Sequence, residues 1–219
     1  MLYANLFNTQ SEQDLMKSSN SRTLIYNFWN WFGQNESTYR RIIDDNEADL
    51  IDDILNKLID IQKGLAVEFE KSNGVYVMTI SADGVDENFD IVQEIINEAP
   101  GIRNWKFIAF RQPYAKEKIN EIVINVYGFT LDPKQIMFLP VTEDGKLYIQ
   151  IFSAEISEEN RNKIGYGCLM LLDNIIGEYA CVKKVDGYEY YNMSEATDFK
   201  SKLKPLTEIR EYLDLYYQE

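Results

Sequence analysis

Histidine is absent from all 219 residues, which removes the commonest general base near neutral pH, the usual activator of nucleophiles and the commonest zinc ligand. Cysteine is almost as scarce. Cys168 and Cys181 are the only two, and they have neither the spacing of a zinc site nor the density of a disulfide framework, so they read as partly buried thiols of a reducing compartment. No GK[ST] phosphate-binding element occurs, and Gly165-Tyr166-Gly167 lacks the third glycine of a dinucleotide fingerprint. No apolar run approaches the roughly 20 residues that cross a bilayer. The segment from Met1 to Asn20, with Glu12 and Asp14, lacks the basic-then-apolar order of a secretory signal. Cations are also in short supply, 22 Lys and Arg against 36 Asp and Glu, for a net charge of −14. A surface of that sign repels phosphate backbones. The expectations are a cytoplasmic protein with no nucleic-acid partner, no membrane association and no cofactor.

What the chain does contain is apolar material: 45% hydrophobic and 13% aromatic residues, enough for a core that needs no staples. Ile25, Phe28, Trp29 and Phe32 follow helical spacing and predict a first helix, resuming at Tyr39, Ile42 and Ile43. Asn46 reads as the N-cap of a second helix that buries Ile51, Ile54, Leu55 and Leu58 and stops at Gly64. Leu65 to Glu70 and Val75 to Ile80 alternate around Asn73-Gly74, which predicts a hairpin. A third helix follows, with Asp86 as cap and Phe89, Val92, Ile96 and Ala99 inward, and Trp105 to Phe110 reads as a central strand. Further strands are expected over Glu121 to Tyr127, in a second hairpin around Glu143-Asp144-Gly145, and over Tyr179 to Val185 and Tyr188 to Tyr191. Between them lies a long helix capped by Ser157 and striped by Ile164, Cys168, Leu171, Leu172 and Ile175, ending at Gly177. Pro205 opens the last helix. No internal repeat is visible in the sequence.

This pattern predicts an α+β fold, a mostly antiparallel sheet with helices packed on one face and two similar-sized halves. A polar segment over residues 1–20 precedes a single domain over 21–219, with a division near 114–120 left open.

Candidate chemistry is confined to acids, one arginine and aromatics. Asp83, Asp86, Glu87 and Asp90 could offer oxygen ligands to a hard cation, but they match no EF-hand spacing and read more simply as helix-start acids. Asp44, Asp45, Asp52 and Asp53 read as a solvated helix face. Asp173 and Glu178 flank the end of the long helix, and either can pair with Arg111 or cap backbone amides. Cys168 lies on the apolar stripe and reads as core. Trp31 and the tyrosines Tyr188, Tyr190 and Tyr191 are candidates for a partner surface, since exposed aromatics anchor interfaces.

FWNWF (Phe28 to Phe32), ISADG with WKFIAFRQP (Ile80 to Gly84 and Trp105 to Pro113) and LLDNIIGEY (Leu171 to Tyr179) together resemble an uncharacterised family of bacterial proteins. The resemblance spans about Leu24 to Val185. It marks Asp83, Arg111, Gln112, Asp173 and Glu178 as matching recurrent motifs and implies no activity.

Neither catalytic residues nor metal ligands are assigned. The leading expectation is a non-enzymatic protein-binding module, immunity-like in one form, that captures a basic protein by charge complementarity. The alternative is a small-ligand binder or enzyme built on an Arg111 and carboxylate pocket.

Overall fold

The computed structural model describes residues 4–197 and 199–218. The fold is α+β, with three sheets among the described residues, and the chain divides into two compact units, Met1–Ala109 and Phe110–Glu219.

In the first unit, α1 (Ala4–Tyr39) runs through most of the segment read as a polar lead. Nothing stops it there, because no proline or glycine precedes Gly33, and a helix nucleated on a packed face propagates outward at little cost. Ile25, Phe28, Trp29 and Phe32 are buried as their spacing predicts. Phe32 meets Trp105 edge-on at 5.1 Å, and Trp29 Nε1 donates to the Ile95 carbonyl at 2.8 Å. After α2 (Arg41–Asp44), Asn46 adopts φ +58°, so it forms a left-handed turn and is not the expected N-cap; α3 (Leu50–Ile59) starts later. Asparagine tolerates both roles, and here the turn conformation wins. The hairpin β1 (Ala66–Ser72) and β2 (Val75–Ser81) forms around Asn73-Gly74, and α4 (Phe89–Asn97) leads to β3 (Trp105–Ala109). The sheet order β1-β2-β3 makes β3 an edge, not the expected central strand. Apart from the exposed Lys106 it is apolar throughout, in keeping with its parallel pairing to β2.

In the second unit, a 3-10 turn over Lys116–Glu121 takes the first part of the strand expected from Glu121. Only β4 (Ile124–Val126) remains, paired with β5 (Phe129–Leu131). The hairpin β6 (Met137–Glu143) and β7 (Lys146–Ser153) precedes α5 (Arg161–Ile176), α6 (Glu178–Lys183) and β8 (Gly187–Asn192). A short β9 (Lys204–Pro205) and α7 (Ile209–Tyr216) close the chain in the order β8-β7-β6-β9. The apolar stripe of α5 meets Ile149, Ile151, Leu206 and Ile209 in one core. Most of the strand expected over Tyr179 to Val185 is helix instead, up to Lys183. Its β-formers are overridden by the turn at Gly177, which starts α6 immediately.

The structure also contains a repeat that the sequence hides. Each unit has a hairpin, then a helix, then a strand parallel to the second hairpin strand. Both hairpins turn on two residues of positive φ, Asn73-Gly74 and Asp144-Gly145, as type I′ turns require. Both second strands end in a buried serine followed by alanine and an acid: Ser81-Ala82-Asp83 and Ser153-Ala154-Glu155. In each, the serine Oγ accepts the N–H two residues on, from Asp83 at 2.9 Å and Glu155 at 3.2 Å. The parallel pairing opens at Tyr76 and Tyr148, each five residues before its serine. The helices α4 and α5 start at Phe89 and Arg161, each eight residues after it. Identity is too sparse for the repeat to be read from letters alone, but the hydrogen-bond register is the same.

Candidate functional site

Four of the five predicted polar residues belong to the second unit and meet where α5 ends. Gly177 has φ +82° and ψ 153°, a region closed to residues with a Cβ, and this lets the chain turn from α5 directly into α6. The turn puts Glu178 at the start of α6, fully buried. Its carboxylate accepts the Arg111 N–H at 3.0 Å, while its own N–H donates to the Arg111 carbonyl at 3.0 Å. The Tyr114 N–H reaches the Asn174 carbonyl at 2.8 Å. One turn back on α5, Asp173 faces the Arg111 guanidinium, with Nη1 to Oδ2 at 3.7 Å and both side chains about a quarter exposed. Gln112 Nε2 donates to the Phe110 carbonyl at 3.1 Å. Phe110 is buried at φ +67° and packs its ring 6.0 Å from Tyr179. A left-handed phenylalanine costs on the order of 1–2 kcal/mol, so the surrounding bonds hold it there. Asp83 belongs to the first unit, in the turn after β2 at φ +51°.

Chemically this cluster is a clasp. The Glu178 carboxylate is engaged by a backbone amide, which fixes the segment from Phe110 to Tyr114 on the α5–α6 corner. The Cys181 thiol, next to it in the core, is pushed up by burial first and then by the Asp173 carboxylate, which works against a nucleophilic thiolate. Burial pushes the Cys168 thiol up to about 12. Both cysteines are free. Among the described residues, no group of three His, Cys, Asp or Glu side chains is placed to hold a metal ion, and no described helix is long and apolar enough to cross a membrane.

The aromatic candidates lie mostly inward. Trp31, in the first unit, sits 5.3 Å from Tyr39 and 6.1 Å from Phe28, with the Lys57 ammonium 5.6 Å from its ring. Tyr188 and Tyr190 pack against the core of the second unit. The Tyr188 hydroxyl donates to the Cys181 carbonyl at 2.9 Å, and the Tyr190 ring fills the space left by Gly165. Tyr191 stacks on Phe152 at 5.3 Å.

A different set of apolar side chains faces water. On α5, Tyr166, Leu169 and Met170 are 55%, 36% and 39% exposed, on the side away from the buried stripe. Tyr127, at 62%, stands at the tip of the β4–β5 hairpin with its ring 6.4 Å from Tyr166. Gly167 makes this arrangement possible: a Cβ there would fall 2.5 Å from Leu131 Cδ1 and 2.6 Å from Val126 Cγ1, so only glycine lets the hairpin lie so close to α5. Tyr127 itself adopts φ +51° in a Tyr-Gly turn where asparagine or aspartate is the relaxed choice. Sequence reasoning passed over these residues because one apolar face of α5 was enough to explain a helix. The signal was present in the letters: Tyr166, Leu169 and Met170 repeat at helical spacing opposite the stripe, which makes the middle of α5 apolar on both sides.

Comparison with protein-family models, curated proteins and solved structures finds no match to this chain.

Proposed function

We propose that this chain is a non-enzymatic protein-binding module that presents the α5 and β4–β5 face to a basic partner protein. The observation that carries the reading is the contiguous exposed set Tyr127, Tyr166, Leu169 and Met170, displayed on a helix and a tight hairpin. Aromatic and methionine side chains are the enriched components of interface centres, and exposed clusters of them are uncommon on surfaces that bind nothing. The strained backbone of Tyr127 points the same way, since a relaxed turn residue would serve the hairpin better. The net charge of −14 sets the sign of the partner, because long-range attraction would speed capture of a cationic protein. Neutralisation of a basic toxin by an immunity-like protein is one concrete form.

The test uses the full chain as bait at physiological salt, beside a Tyr166→Asp, Met170→Asp double variant whose circular dichroism matches the wild type. The reading expects one stoichiometric partner of basic isoelectric point, held by the wild type, lost from the variant and weakened by added salt. A partner retained equally by the variant, or an acidic one, would refute the assigned face or the assigned charge.

A second reading, a small-ligand site at Arg111, rests on the strained Phe110 beside a guanidinium that Asp173 orients. It requires a metabolite whose saturable rise in melting temperature disappears in Arg111→Gln.

A further inference from the structure

Between the 3-10 turn Lys116–Glu121 and the first turn of α7, the surface of the second unit is hollowed into an open cleft of 310 Å³. Buried Ile119 contributes to its lining, and around it stand Lys116, Asn120, Glu208, Arg210 and Glu211. Arg210 is held in place, since its Nη1 donates to the Tyr114 carbonyl at 2.9 Å. The Lys116 ammonium lies 3.6 Å from Asp214, one turn further along α7.

We infer that this cleft binds a small zwitterion with a free ammonium and a free carboxylate, the chemical class of the α-amino acids. The lining selects that class by exclusion and by match. A phosphate or other compact dianion would meet two cations but also the Glu208 and Glu211 carboxylates, and like charges brought together cost affinity. An apolar molecule would find one hydrophobic residue, Ile119, among charged and polar ones that it would strip of water. A ligand bearing one charge of each sign can place its carboxylate on Arg210 and Lys116, which keep their contacts to the Tyr114 carbonyl and Asp214, and its ammonium on Glu208 and Glu211, so that neither sign in the cleft is opposed by a like charge. A guanidinium already fixed by a backbone carbonyl binds a carboxylate with less loss of side-chain freedom. The volume lies at the small end of ligand pockets, in keeping with a ligand of this size. Because the lining is exposed and screened, binding is weak, with a dissociation constant on the order of 1 mM.

The experiment is a titration of the isotope-labelled full chain with each common α-amino acid, followed by amide resonances, with N-acetylglycine, glycine ethyl ester and inorganic phosphate as controls. Saturable shifts of the Asn120, Thr207 and Glu211 amides are expected with at least one free amino acid. Binding should be about two- to fivefold weaker in Glu211→Gln and in Lys116→Ala, each removing one side of the charge match. Both residues are exposed, and the same spectra report whether each variant is folded. Absence of saturable shifts up to about 50 mM, well beyond the expected constant, would overturn the inference. So would equal binding of either capped analogue, which lacks one charge, or unchanged affinity in a folded Glu211→Gln.

Discussion

Replacing Gly177 by alanine tests the clasp at its tightest point. An alanine there must hold φ +82° and ψ 153°, a conformation that costs a residue with a Cβ about 1–3 kcal/mol. Its Cβ would also lie 2.7 Å from Pro113 Cδ, 3.2 Å from Pro113 N and 3.3 Å from the Arg111 carbonyl oxygen. The proline ring cannot swing aside as a flexible side chain would, and Arg111 is tied on both its N–H and its carbonyl to Glu178. Relief therefore means loosening a charge-assisted and a neutral hydrogen bond, and the total loss is on the order of 3–5 kcal/mol. With a urea m-value of about 2 kcal/mol/M, the midpoint falls by about 2 M. Gly145→Ala is the matched control, because Gly145 has φ +77° but nothing within 4 Å of its Cβ position, so only about 1 kcal/mol of backbone cost remains. Urea unfolding followed by far-UV circular dichroism, with hydrogen exchange on α5 and α6, measures both. Equal losses in the two variants would refute the argument, since the contact with Pro113 would then contribute nothing.

Three further outcomes follow from the same geometry. Gly167→Ala should cost about 1–3 kcal/mol by overpacking against Val126 and Leu131, and Val126→Ala in the same chain should recover part of it in a double-mutant cycle. Asp44 accepts hydrogen bonds from Lys71 Nζ at 2.6 Å and from the Tyr76 hydroxyl, and these, Lys71 foremost, hold its carboxyl below the usual range. A depressed carboxylate stabilises fully above its unfolded value near pH 4 and loses that contribution as pH falls through the folded value. The stability gap between wild type and Asp44→Asn should therefore be flat from about pH 5 to 8 and close in acid, as read by thermal melts across pH. The two buried thiols should react slowly with a disulfide reagent at pH 8 in the native protein and fully in denaturant, because burial pushes Cys168 up to about 12 and raises Cys181 as well.

The local signals in the letters carried far. Asn73-Gly74 and Asp144-Gly145 located both main hairpins, since two consecutive positive φ values leave few other residues to choose from. The spacing of Ile25, Phe28, Trp29 and Phe32 picked out the buried face of α1, and Ile164 to Ile175 that of α5. Placing Arg111 with Asp173 or Glu178 was also within reach, although the division of roles was not: Asp173 meets the guanidinium, whereas Glu178 takes the backbone amide. What escaped was set by tertiary context. Tyr179 to Val185 has strand-forming residues, but the reciprocal bonds between Glu178 and Arg111 anchor a helix that runs to Lys183. Tyr188, Tyr190 and Tyr191 look like surface aromatics until β8 pairs with β7 and turns Tyr188 and Tyr190 onto the core. Composition cannot tell a tyrosine that packs from one that waits for a partner.

The repeated connectivity supplies a comparison within one chain that bears on the proposed interface. Both α4 and α5 cross from a hairpin to a parallel strand, starting at the same distance from the same buried serine. Both bury one face, through Phe89, Val92 and Ile95 in α4 and through Ile164, Cys168, Leu171, Leu172 and Ile175 in α5. Their outer faces differ. In α4 the exposed positions are Asp90, Gln93 and Asn97, the polar choice that keeps a surface helix from sticking to its neighbours. In α5 the outer face carries Tyr166, Leu169 and Met170, with Tyr127 brought alongside by a hairpin that only Gly167 admits. The connectivity therefore imposes no requirement for apolar groups on the outside of its helix, and one copy does without them. Exposed apolar side chains add nothing to the core and raise the risk of aggregation, so it is this difference between the two copies that the proposed interface rests on.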